Sequence, residues 1–106
     1  MKYLTRKEEL ILLTALKLKD EASLVKIRRQ LIVSSGHSWS VGNVYVPLDR
    51  MTKMGYLITH LGTPTARRGG KAVKYYVITK QGKKALADLK KIHDSVWSEV
   101  KDTALE

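Results

Sequence analysis

Three histidines, His37, His60 and His93, are the only imidazoles in the chain, and no cysteine accompanies them. Without thiols, disulfides, thiolate catalysis and zinc-finger sites are excluded. The histidines lie far apart, and none has a second histidine or a carboxylate at a helical ligand spacing. Asp94 is adjacent to His93, so on a helix the two point in different directions. Gly69-Gly70 sits between two strand-like segments, whereas a phosphate-cradling loop runs from a strand into a helix. The expectation is a chain with no metal, no cofactor and no enzymatic activity.

The chemistry on offer is ionic. Twenty Lys and Arg face ten Asp and Glu among 106 residues, a formal net charge of +10, with a pI near 9.9. No acid occurs between Asp49 and Asp88, an interval that holds Arg50, Lys53, Arg67, Arg68, Lys71, Lys74, Lys80, Lys83 and Lys84. A one-sign field over the middle of a chain suits a polyanion, because each neutralised phosphate releases counterions. These cations do not line one face of an amphipathic helix, which argues against a membrane surface. With 43% hydrophobic residues and no apolar run near the roughly 20 residues of a membrane span, a single globular domain is expected. Met1-Lys2-Tyr3-Leu4-Thr5 does not read as a signal peptide, so a cytoplasmic location is expected.

Such charges need elements to hold them. Thr5-Arg6-Lys7-Glu8 is a capping box opening a helix to about Leu18, apolar nearly all round and so requiring cover on more than one side. Ser23 caps a second helix to about Val33, with Leu24, Ile27 and Leu31 as its buried stripe and Gly36 as a left-handed stop. His37-Ser38-Trp39 is at most a small edge strand, with Trp39 plugging the core. Ser40 caps a third helix from Val41 to Met54, whose stripe is Val41, Val44, Leu48 and Met51. Pro47 lies inside it and implies either a kink or a fresh start. Residues 56–61 and 73–79 are β-branched and aromatic, and form a hairpin around a long basic tip. Thr79 caps a last helix, Lys80 to Val100. Its residues Leu86, Leu89, Ile92 or His93, Val96 and Val100 recur at nearly heptad spacing, as in a dimer seam.

Helix, helix, short strand, helix and basic hairpin make a winged helix-turn-helix, α+β and mostly helical, with a two-stranded wing and a C-terminal dimerisation helix. The stretch from Ser40 to Met51, with Val44-Tyr45 at its centre and followed by Gly55-Tyr56-Leu57, resembles the recognition helix of the PadR family of bacterial transcriptional regulators. Gly62-Thr63-Pro64-Thr65, Arg68-Gly69-Gly70-Lys71, Lys74-Tyr75-Tyr76 and Ile78-Thr79-Lys80-Gln81-Gly82 resemble that family's wing and its entry into the last helix. The similarity runs from about Glu9 to Leu89 and fits the small subclass with one C-terminal helix. The chain differs in lacking the Gly-Tyr pair that usually opens the second helix, and in carrying Thr52 where an acid is usual.

The resemblance implies a homodimeric repressor on a pseudo-palindromic double-stranded DNA operator, with residues 1–79 as the DNA-binding part and 80–106 as the dimerisation helix of one compact unit. The alternative is a winged module for a protein partner or structured RNA. Asn43, near the start of the third helix, is placed to bond adenine N6/N7 or a phosphate. Tyr45 either directs its hydroxyl at a phosphate or packs beneath the wing. Arg67, Arg68 and Lys71 suit the minor groove or phosphates, and Lys26 and Arg29 the flanking backbone. Ser40, Arg50, Lys53, Thr65, Gly69 and Lys74 complete the candidate DNA-contacting set. Leu10, Leu13, Leu86, Leu89, Ile92, His93, Val96, Trp97 and Val100 form the candidate dimer interface. Trp97 either packs that interface or lines a cavity there, which in some relatives accepts flat hydrophobic compounds. A small hydrophobic or aromatic effector is therefore a candidate partner.

Overall fold

Every α-helix of the described residues begins at a hydroxyl. The computed structural model describes residues 3–62 and 72–106. In α1 (Arg6–Leu18) the Thr5 side chain accepts from the Glu8 amide at 3.1 Å, and the Glu8 carboxylate accepts from the Thr5 amide at 2.8 Å, the reciprocal box read from the sequence. Ser23 accepts from the Lys26 amide at 3.2 Å to start α2 (Leu24–Ser35). Ser40 accepts from the Asn43 amide at 3.1 Å to start α3 (Val41–Lys53). Thr79 accepts from the Gly82 amide at 3.1 Å to start α4 (Lys80–Ser98). Each such cap stabilises its helix by about 1 kcal/mol and, more usefully here, sets where it begins. Gly36, at φ 72°, ends α2 in the left-handed conformation expected of it.

Strands β1 (Leu57–Leu61) and β2 (Lys74–Ile78) pair antiparallel, with Leu57 opposite Ile78 and Leu61 opposite Lys74. The free edge of β2 is occupied as well. The Tyr76 amide donates to the Ala22 carbonyl at 2.9 Å, and Ser23 forms an isolated bridge to Tyr75. This corrects the expectation of an edge strand at His37-Ser38-Trp39, where there is no strand. The Trp39 carbonyl accepts from the Arg28 guanidinium at 2.6 Å, so a side chain takes the acceptor that a ladder would use. The contact on the free edge of the wing thus comes from the residues preceding α2, as one isolated bridge and not a strand.

The core gathers Ile11, Leu12 and Ala15 from α1, Ile27 and Leu31 from α2, Val44, Leu48 and Met51 from α3, with Leu57, Tyr76 and Leu86. Trp39 is half-buried against this cluster, as a plug should be. Val41, by contrast, is exposed and leaves the expected α3 stripe. Helix α3 is unbroken across Pro47, so no new helix starts there. Pro47 removes only the bond to the Asn43 carbonyl, and Asn43 is at the surface where solvent compensates.

One joint ties α3, β1 and α4 together. The Thr79 hydroxyl donates to the Gly55 carbonyl at 2.7 Å, while the Thr79 amide donates to the Tyr56 carbonyl at 3.0 Å. Gly82 lies so close that an added Cβ would stand 2.4 Å from the Tyr56 carbonyl oxygen. Only glycine lets the first turn of α4 approach β1 this closely. The Thr79-x-x-Gly82 pattern is therefore a packing requirement in this fold.

Candidate nucleic-acid interface

Two grooves flank α3 and divide the candidate residues between them. One, of about 490 Å³, lies between the start of α2 and β2, and brings together Lys26, Arg29, Tyr45 and Lys74 over a floor that includes Tyr76. The other, of about 660 Å³, lies between the first turn of α1 and the first half of α3, and gathers Ser40, Asn43 and Arg50 with Arg6 and Lys7. Lys53 belongs to neither lining and stands on the last turn of α3. Thr65, Arg67, Arg68, Gly69 and Lys71 lie outside the described residues. Tyr45 is 43% exposed, so its ring is on the groove rim and not beneath the wing.

Several of these cations carry an internal partner. Lys26 pairs with Glu21 at 2.8 Å, and that hydrogen bond, with the charge behind it, holds the Glu21 carboxyl below its ordinary range. Lys53 pairs with Asp49 at 3.0 Å, which raises the ammonium pKa. Arg50 reaches Glu8 at 3.7 Å, and Glu8 is buried by its capping role. The exposed Lys26–Glu21 and Lys53–Asp49 pairs are weak and screened by salt, so a phosphate can displace their carboxylates. Among the described residues, Arg29 and Lys74 form no ion pair. In the groove floor, burial first and then the neighbouring Tyr45 and Asp49 push the Tyr76 phenol upward, so it stays protonated at neutral pH.

Sequence reasoning missed Arg6 and Lys7. Lys7 Nζ donates to Asn43 Oδ1 at 3.4 Å across 36 residues of sequence. A signal was present: two cations follow the cap of α1, in the first turn where the helix dipole favours acids. Cations placed against local preference point to a purpose elsewhere.

The candidate dimer residues separate into two environments. Leu86 and Leu89 are each 8% exposed and largely covered by the chain's own core. Ile92, Val96 and Trp97 on distal α4, and Leu10 and Leu13 on α1, are exposed; Val100 is exposed too but lies beyond α4, which ends at Ser98 and not at Val100 as the seam spacing predicts. His93 Nε2 lies 3.1 Å from Glu9 Oε2 and links α4 to α1. Among the described residues no group of three or more His, Asp or Glu is arranged to hold a metal, and no helix is long and apolar enough to cross a membrane.

Comparison with known proteins agrees with this fold. A PadR-like regulator from Bacillus cereus superposes with a TM-score of 0.74 at 24% identity, over 93% of this chain and 90% of that one. A PadR family regulator from Clostridium difficile gives 0.71 at 24% identity, over 96% and 100%. A PadR-like transcription factor from Bacteroides fragilis gives 0.64 at 25% identity, over 90% and 93%. No curated protein matches the sequence. The profile described as "Transcriptional regulator PadR-like family" matches residues 12–88, covering α2, α3, the hairpin and most of the core. The winged helix-turn-helix is therefore that of a known regulator family, and the chain belongs to the PadR-like transcriptional regulators.

Proposed function

We propose that the protein is a sequence-specific, DNA-binding repressor that occupies a pseudo-palindromic operator as a homodimer. Each subunit inserts α3 into the major groove of one half-site, and the wing, with Thr65, Arg67, Arg68, Gly69 and Lys71, follows the adjacent backbone or minor groove. The observation that carries this reading is the convergence of Lys26, Arg29, Tyr45 and Lys74 on one groove beside the exposed face of α3. Four such side chains from three elements track a phosphate backbone while α3 is free to reach base edges. Residues 1–79 act as the DNA-binding part and 80–106 as the dimerisation helix, with Ile92, Val96, Trp97 and Val100 meeting a second copy. Repression follows from occluding a promoter. A small hydrophobic or aromatic effector at the dimer interface would relieve it by changing half-site spacing. The protein works in the cytoplasm and catalyses no reaction.

The test is a titration of the chain's own upstream region against random duplex at two salt concentrations. With about 6–10 phosphate contacts per dimer, affinity falls about a thousandfold or more between 50 and 200 mM salt, and the upstream region outcompetes random DNA. A flat salt response, with no preference for either duplex, would replace this reading by a protein-binding winged module.

A further inference from the structure

The groove between α1 and α3 has a hydrogen-bonding polarity that a lone asparagine lacks. A free Asn side chain offers one acceptor oxygen and one donor amine, the complement of adenine N6 and N7. Here Asn43 Oδ1 accepts from Lys7 Nζ at 3.4 Å. The oxygen keeps a second lone pair, but an ammonium now stands beside it, and an adenine amine arriving there would meet donor against donor. Other acceptor oxygens of the groove are also engaged. Glu8 accepts from the Thr5 amide at 2.8 Å and faces Arg50 at 3.7 Å. The Ser40 hydroxyl accepts from the Asn43 amide at 3.1 Å. The Asn43 main-chain carbonyl, which Pro47 cannot bond, points along the helix axis toward the proline ring, as every helical carbonyl points toward the C-terminus. Among the described residues, the donors of the groove left without a protein acceptor include the Asn43 amide NH2, the Ser40 hydroxyl, the remaining Lys7 N–H bonds and the Arg50 N–H bonds not facing Glu8.

We infer that Lys7 and Asn43 form one donor-only reading unit, which selects guanine, whose major-groove edge presents two acceptors, and rejects adenine at the base pair that Asn43 faces. Lys7 is a positioning residue in this scheme: it sets the polarity of Asn43 from a different helix. The inference rests on the DNA-binding reading above.

The experiment selects duplexes from a random library with the wild-type dimer, and then measures affinity by fluorescence anisotropy on the four base-pair variants at the position whose preference Asn43→Ala abolishes. Wild type is expected to prefer guanine over adenine by about tenfold. Lys7→Met, which keeps the stem and removes the ammonium, is expected to lower that ratio about tenfold. Lys7→Arg, which still donates to Oδ1, is expected to retain it. A uniform loss of affinity across all four variants in Lys7→Met would make Lys7 a phosphate contact and overturn the inference. So would an unaltered ratio, a wild-type preference for adenine, or no position responding to Asn43→Ala. Failure to enrich any duplex would instead strike the DNA-binding reading itself. Lys7 is exposed, so circular dichroism should show all three lysine forms equally folded.

Discussion

The two halves of α4 share one spacing and have different surroundings. In the first half, Leu86 and Leu89 are each 8% exposed and pack onto the chain's own body. In the second half, Val96 and Trp97, on the same advance of three or four residues, are 57% and 56% exposed. An apolar seam at near-heptad intervals is one physical solution to two problems, filling a core and meeting another helix. What separates them is the cover: α1 and the core bury the first half, whereas among the described residues the second half keeps Val96 and Trp97 more than half exposed.

The contrast can be broken most forcefully at Leu86. Leu86→Asp places a carboxylate where an apolar side chain fills the core, and should lower unfolding free energy by about 3 kcal/mol in urea titration. A midpoint equal to wild type would mean the first half does not belong to the core. Gly82→Ala comes next. Its Cβ would press on the Tyr56 carbonyl at 2.4 Å, and backbone cannot yield as a flexible side chain does. A loss of about 2 kcal/mol is expected, and a neutral effect would show that the start of α4 slides freely.

Val96→Asp sharpens the comparison from the other side. The urea midpoint should hardly move at concentrations where the chain is monomeric, while sedimentation at micromolar concentration should change from dimer to monomer, a loss of about 2 kcal/mol or more in association. A wild-type chain that sediments as a monomer would leave the exposed half without its proposed partner. The smallest effect belongs to Asp88→Asn. Lys84 pairs with Asp88 at 2.8 Å on the solvent side, and the carboxylate raises the lysine pKa. A raised folded pKa gives a contribution present at neutral pH and lost as pH rises through the lysine range. Fully exposed as Lys84 is, the variant should match wild type in urea at neutral pH, and a clear shift would reveal an ion-pair network on this face.

Local chemistry was the legible part of this molecule. A Ser or Thr cap acts within three residues, so Thr5, Ser23, Ser40 and Thr79 could be read directly and located all four α-helices among the described residues. The hairpin followed from β-branched and aromatic runs for the same reason. Pairings between distant segments were not legible. The third strand was sought at His37-Ser38-Trp39 because that segment lies between helices, but the free edge of β2 is taken by Ala22 and Ser23, more than 50 residues earlier. Lys26, Arg29, Tyr45 and Lys74 share one groove, yet only Lys74 lies in the acid-free interval, so the charge pattern along the chain did not assemble that groove. Lys7 escaped notice because its contact with Asn43 crosses 36 residues and leaves no periodicity in the sequence. The seam spacing could not tell Leu89 from Val96, since spacing records which side a residue is on and not what waits there.

The joint at Thr79 bears on how a signal crosses the protein. Its hydroxyl and amide fasten α4 to the residues that close α3 and open β1, and Gly82 removes the clearance that a hinge would need. The chain is 54 Å along its longest axis. A rigid lever of that length, turned by about 4°, sweeps its far end through roughly 3.8 Å, close to the rise of one base step. In the homodimer proposed above, a small rotation where two copies meet would therefore correspond to about one base step at the DNA, if the threonine-glycine contact holds α4 fixed to the wing.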